Sequence, residues 1–206
     1  MPTMPRLAQA FCRSLPWRAF SRRVILPWAL HGVRPQGDVV EIGGGSGAMA
    51  AGVLETFPHL RITVTDFDES MVSASRWLLA RFGDRAVVRQ ADAAALPFDD
   101  VSFDGVLSFA MLHHVGEWEK ALEEAIRVLR PGGLLAGYDL LANAPMHRQH
   151  SSDDRGHTAG GHGRMMTLPE LRARLEQLPV EEIAIRPSLG HFAARFSARK
   201  RPIAGG

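Results

Sequence analysis

The stretch Val39-Val40-Glu41-Ile42-Gly43-Gly44-Gly45-Ser46-Gly47 constrains this chain more than any other. Its first half reads as a short buried strand, and its second half as a glycine-rich turn. Beyond the turn, Ala50, Val53, Leu54 and Phe57 fall on one face at helical spacing. Glycines in such a corner let the backbone pass close to a ligand, where a Cβ would clash. The helix start that follows offers unpaired N–H groups.

Two ligand classes suit this turn. Gly43, Gly45 and Ala48 satisfy the dinucleotide pattern G-x-G-x-x-G/A. Against a phosphate ligand stands Glu41, two residues before the first glycine, whose carboxylate suits an ammonium and repels a pyrophosphate. The phosphate-binding lysine of a P-loop is also missing, since Ala48-Met49 occupies its place. The turn is therefore read as built for a nucleoside that carries an amino acid.

Further strand-like runs lie at 61–65, 86–89, 102–109 and 134–138, separated by helical patterns at 69–82 and 119–130. Arg130-Pro131-Gly132-Gly133 reads as the stop of the second of these helices. Strands alternating with helices imply an α/β, Rossmann-like, doubly wound and mostly parallel sheet covered on both faces. Its ligand crevice lies at the carboxyl ends of the strands. That edge would gather the glycine turn, Asp66, Asp92, Phe109, His113 and Tyr138. Residues 139–167 are polar and rich in histidine and glycine, and read as a long surface loop. Thr167 is placed to cap a short helix at 168–178. Runs at 180–186 and 191–199 around Pro187-Ser188-Leu189-Gly190 read as a closing antiparallel pair. Trp77 and Trp118 are expected to be packing residues.

At 206 residues and 46% hydrophobic, the chain suits one domain with its own core. Residues 1–34 are expected to form a basic amphipathic segment, and 35–206 a single domain. The segment holds Arg6, Arg13, Arg18, Arg22, Arg23 and Arg34 and no acid. Trp17, Phe20, Val24, Leu26 and Trp28 interleave with these arginines, and Pro27 is expected to bend or end the helix. Such a segment suits a pocket cap or a peripheral contact with lipid. Its longest apolar run, 24–30, is far too short to span a bilayer. Cys12 is the single cysteine, which excludes an intrachain disulfide. A cytoplasmic location is expected. His147, His150, His157 and His162, with Asp153 and Asp154, have no spacing that unites them as ligands, so no metal is expected.

Three acids close three strands. Asp66 stands 19 residues after Gly47, where its oxygens can accept from both hydroxyls of a ribose. Asp92 can accept from an adenine amino group, and Glu41 can face an ammonium. With this set the chain resembles the class I S-adenosylmethionine-dependent methyltransferases. The resemblance rests on Val39 to Gly47, Asp66 with Met71, Asp92 with Leu96-Pro97-Phe98, Phe103-Asp104, Leu112-His113-His114-Val115 and Leu129-Arg130-Pro131-Gly132-Gly133. It covers roughly residues 36–138 and is greatest with the small-molecule branch.

The resemblance implies a seven-stranded sheet with an antiparallel last strand, and S-adenosyl-L-methionine as cofactor. It implies that Glu41, Gly43, Gly44, Gly45, Ser46 and Gly47 surround the methionine part and Asp66 holds the ribose. Phe67 would pack on the adenine, Asp92 and Ala93 would read its edge, and Phe109 would offer backbone. The acceptor is expected to be a small or lipid-like molecule rather than nucleic acid. A base is needed only if the nucleophile must lose a proton, and His113, His114 and Tyr138 are its candidates. The alternatives are an NAD(P)-dependent oxidoreductase, which lacks a Tyr-x-x-x-Lys pair here, and a non-catalytic protein that binds S-adenosylmethionine.

Overall fold

A computed structural model describes residues 14–142 and 165–202. Seven strands form one sheet: β1 (Asp38–Ile42), β2 (Arg61–Asp66), β3 (Ala86–Gln90), β4 (Phe103–Phe109), β5 (Leu129–Leu140), β6 (Val180–Pro187) and β7 (Ala193–Lys200). Their order is β3-β2-β1-β4-β5-β7-β6. The pairs from β3 through β5 are parallel, and β7 runs antiparallel to both β5 and β6. The strand order reverses between β1 and β4, so the crevice opens at the carboxyl ends of those two strands.

The helices are α1 (segments Leu15–Phe20, Ser21–Ile25 and Leu26–Ala29), α2 (Ala48–Thr56), α3 (Glu69–Leu79), α4 (Trp118–Val128) and α5 (Leu168–Gln177). Leu26 and Ala29 of α1, Met49 to Leu54 of α2 and Leu78-Leu79 of α3 bury one face of the sheet with Val39, Val64, Leu107 and Tyr138. Leu122, Ala125 and Ile126 of α4 and Leu171 and Leu175 of α5 bury the other face with Val40, Ile42, Val106 and Leu135. Neighbouring residues of β1 thus enter opposite cores, as the period of two requires.

Several boundaries depart from expectation. Pro27 does not end α1. A π-helical turn precedes it, with Leu26 N–H donating to Ser21 C=O, and Pro27 sits in the first turn of the last segment, where no N–H is needed. Helix α3 stops at Leu79 and tightens into a 3-10 stretch, Ala80–Arg85. The Arg130-to-Gly133 run is no gap between helix and strand. It lies inside β5, which pairs through Phe103↔Leu129 and resumes at Gly105↔Leu134. Asp104 alone stands opposite those four residues, so they bulge out. Strand β7 begins at Ala193 and excludes His191, which has φ 57 in a 3-10 turn; Phe192 is exposed. Trp118 is buried as expected, but Trp77 is 78% exposed on α3, outside both cores.

The expected loop at 139–167 is shorter. Asp139 and Leu140 belong to β5, Leu141 and Met166 are buried, and Ala142 N–H donates to Met166 C=O at 2.9 Å. Its histidines and Asp153 and Asp154 lie outside the described residues, as does Cys12. Thr167 caps α5 in a reciprocal capping box with Glu170.

Candidate active site

The glycine turn leaves β1 and enters α2. Gly44 N–H donates to Thr65 C=O at 2.8 Å and Gly47 N–H to Gly44 C=O at 3.0 Å, so the turn is tied to β2 and to itself. Two glycines differ in what they face. Gly43 has φ +62, and a Cβ there would lie 1.9 Å from Met111 Cγ, so the turn after β4 packs directly on it. Gly45 has φ +55, and a Cβ there would meet nothing within 4 Å. Gly45 is therefore the position at which backbone faces open space. Ser46 is buried beside it.

Two carboxyls flank the turn. Glu41 is buried between Val64 and Leu107, its register partners on β2 and β4. Burial, and then the charge of Asp66, push its pKa up to about 8, opposed by the Ala50 N–H. Its Oε2 has no partner among the described residues. A buried oxygen without a donor is unfavourable by itself, and it fits an ammonium, reached directly or through water. Asp66 closes β2. Gly45 N–H donates to its Oδ2 at 2.8 Å and Asp68 N–H to its Oδ1 at 2.9 Å. Burial raises the Asp66 pKa, and these N–H groups oppose the rise. Each oxygen retains lone-pair capacity for a ribose hydroxyl. Phe67 follows and is 38% exposed, which leaves it open to a planar base.

Asp92 lies beyond β3 and holds its own turn. Its Oδ1 accepts from Ala94 N–H at 2.9 Å, and its C=O accepts from Ala95 N–H at 3.1 Å. Ala93 is buried beneath. A cluster that sequence reasoning missed supports this turn. Arg127 of α4 donates to the carbonyls of Phe98 at 2.8 Å and Leu96 at 3.0 Å, and pairs with Glu124 and Asp100. Glu124 in turn accepts from Leu96 N–H at 2.7 Å. These residues read as an ordinary solvated helix face, so nothing in the sequence singled them out. Asp104 is at the far end of β4, where it accepts from Asp38 N–H at 2.8 Å and pairs with Arg130, so its work is structural.

The three base candidates are not brought together. Tyr138 points into the core under α1, with its ring 5.5 Å from Trp28 and 6.2 Å from the buried Phe109. Asp139, the next residue, points to the opposite face. There His113 Nδ1 lies 2.6 Å from Asp139 Oδ1. His114 is exposed, its ring 3.9 Å from that of His113. Asp139, too, is a residue that the sequence did not single out. As an acid closing a strand it carries the same signal as Asp66 and Asp92, but the polar run that starts with it reads as a loop.

Residues 40–137 match the family model described as a methyltransferase domain. The chain is 38% identical over 117 residues to a demethylmenaquinone methyltransferase of Clavibacter sepedonicus, covering 57% of this chain and 44% of that protein. It is 32% identical over 168 residues to the 27-O-demethylrifamycin SV methyltransferase of Amycolatopsis mediterranei, covering 77% of this chain and 61% of the relative. The chain thus spans about half the length of these curated relatives. A solved S-adenosylmethionine-dependent methyltransferase of Thermotoga maritima shares the fold with a TM-score of 0.72 at 22% identity, over 95% of this chain and 97% of that one.

Proposed function

We propose that this chain, which belongs to the class I S-adenosylmethionine-dependent methyltransferases through its domain at residues 40–137, transfers a methyl group to a small or lipid-like acceptor. The observation that carries this reading is the open backbone at Gly45, bonded to the half-buried Asp66 carboxyl and four residues beyond the buried Glu41. Glu41 holds the ammonium, Asp66 the ribose hydroxyls, Phe67 one face of the adenine, and Asp92 with Ala93 its edge. Gly43, Gly44, Gly45, Ser46, Gly47 and the Phe109 backbone shape the methionine part. Bound S-adenosylmethionine supplies an electrophilic methyl on a sulfonium whose leaving thioether is neutral, so no residue need protonate a leaving group. The protein's work is to orient the acceptor and exclude water.

Relatives named for demethylmenaquinone and for 27-O-demethylrifamycin SV support a small-molecule acceptor. In the same reading, residues 1–34 are a basic amphipathic segment and 35–206 a single domain, and α1 offers a peripheral lipid contact by the face that it does not bury. Leu15, Phe20 and Val24 are exposed along α1 beside Arg23, a pattern suited to an anionic interface. No described helix is long and apolar enough to cross a membrane. The single cysteine fits a reducing, cytoplasmic compartment.

Calorimetric titration with S-adenosylmethionine, its demethylated product and NADH tests the cofactor. The first two should bind and NADH should not; binding of NADH alone would overturn the reading. Asp66→Ala should weaken S-adenosylmethionine by about tenfold or more, the value of charged hydrogen bonds to ribose, while the circular dichroism spectrum is kept. Unchanged affinity would remove the ribose assignment. Binding without methyl transfer to any acceptor would favour a non-catalytic role.

A further inference from the structure

A cavity of about 720 Å³ lies at the opposite end of the sheet from the glycine turn. Gln36 in its wall precedes β1, Thr56 and Phe57 close α2, and Leu134 opens the part of β5 that pairs in step with β4. These positions mark the amino ends of the parallel strands, whereas the cofactor crevice lies at their carboxyl ends. The five residues of β1 separate the two by about 15 Å, at about 3.3 Å per residue. The volume is that of a small-molecule site. Its floor is apolar: Leu26, Leu30 and Leu134 are buried, and Phe57 is half-buried. Its mouth is cationic. Glu182 stands 3.2 Å from Arg199 Nε and neutralises it, and Arg199 Nη1 donates to Gly132 C=O at 2.9 Å. Glu182 reaches this place through a bulge in β6: with Ile183 it opposes Ala198 alone, and its φ is 53. Bulges re-aim side chains, and strained residues other than glycine gather at ligand sites. A second hollow of about 360 Å³ shares Arg34, Gln36 and Arg199 with the first and adds Arg130, which Asp104 neutralises at 2.7 Å. The exposed Arg34 side chain and the Gln36 amide have no ion pair or hydrogen bond among the described residues.

We propose that this cavity is a second ligand site, for an amphiphile with a single negative charge: a carboxylate on an aliphatic or aromatic body. The body displaces water from Leu26, Leu30, Phe57 and Leu134, and burial of that apolar surface favours binding. The carboxylate meets Arg34, whose guanidinium offers two parallel N–H donors, with the Gln36 amide as a further donor. The charges on the wall set both sign and number. Glu182 cancels Arg199 and Asp104 cancels Arg130, so one cation is left over. A cationic head would be repelled by it, and a dianion would exceed it. Pro35 restricts the Arg34 backbone to extended conformations, which limits the ordering that binding must impose. The site shares no residue with the cofactor crevice, and its occupation needs no cofactor.

Calorimetry of the full chain with octanoate and with naphthoate tests the site, and the two probes distinguish an aliphatic from an aromatic body. At least one should bind one to one, with octanol and octyltrimethylammonium about tenfold weaker or worse. Equal binding of the alcohol or the cation would overturn the charge assignment, and no binding by either carboxylate would overturn the site. Because the crevice also suits a lipid-like molecule, amide shifts in nitrogen-15-labelled protein locate the probe. They should move at Arg34, Gln36, Phe57, Ser197 and Arg199 and stay fixed at 43–47 and 66–67; the reverse would place the probe in the crevice and overturn the location. Arg34→Gln removes the charge without breaking a described contact, so it should keep the thermal midpoint and weaken the carboxylate about tenfold. Ser197→Phe fills the cavity and should abolish binding. Native affinity in Arg34→Gln would refute the proposed head-group contact whatever the second variant does. Failure of the native protein to bind S-adenosylmethionine would bear on the methyltransferase reading alone.

Discussion

Replacing Glu41 by Gln tests both the electrostatics of the site and its ligand. The native carboxyl has a pKa of about 8 against an ordinary 4.5, with burial the larger cause and Asp66 the next. Below the lower value the group is protonated in folded and unfolded chains alike. Between the two, the unfolded chain has released its proton and the folded chain keeps it, so stability falls as pH rises. The slope is about 1.4 kcal/mol per pH unit, so the window amounts to about 5 kcal/mol and the loss is complete above about pH 8. Glu41→Gln has no proton to release and should lack this slope. Its amide leaves a buried N–H group unpaired, at about 1–3 kcal/mol, so stability at one pH does not discriminate and the slope does. Urea unfolding from about pH 5 to about pH 8.5 measures it. Parallel slopes for native and variant proteins would refute the burial argument. An ammonium near Glu41 favours the ionised form, so S-adenosylmethionine should expel up to one proton from the native protein near neutral pH. Calorimetry in buffers of different ionisation enthalpy reads this number. Glu41→Gln should expel none and bind about tenfold more weakly, as loss of one charged contact implies. Equal proton release would remove the ammonium assignment.

The two glycines should part company. Gly43→Ala combines a positive φ with collision against Met111 and should cost about 3 kcal/mol or more in thermal unfolding. Gly45→Ala meets only the strain of its φ, about 1–2 kcal/mol, yet should abolish S-adenosylmethionine binding in calorimetry. The opposite order would refute the assignment of Gly45 as the ligand-facing position. Arg127→Met removes the donors to the Leu96 and Phe98 carbonyls and should destabilise by about 2 kcal/mol. Hydrogen exchange should quicken at residues 92–100, and unchanged protection there would show that the turn stands without Arg127.

Short-range signals carried much of this protein. The order of strands and helices followed from hydrophobic period and from turn residues, which act over a few positions. The three acids at strand ends were legible for the same reason: the carboxyl end of a parallel strand is recognisable before its neighbours are known. The capping box at Thr167 and Glu170 is equally local. Pro27 keeps to its local rule in the first turn of the last segment of α1, and α4 ends at Val128, just before the Arg130-to-Gly133 run; what the run did not reveal is that it bulges inside β5, opposite Asp104. What lay beyond the sequence was which side chains meet across long separations. Asp139 and His113 are 26 residues apart, and only the parallel pairing of β4 with β5 brings their strand ends side by side. The same pairing turns Tyr138 away, because adjacent residues of a strand face opposite cores. Glu41 was visible as an acid, but its high pKa arises from burial in the sheet and from the nearby charge of Asp66, a property of the assembled sheet and of no single segment.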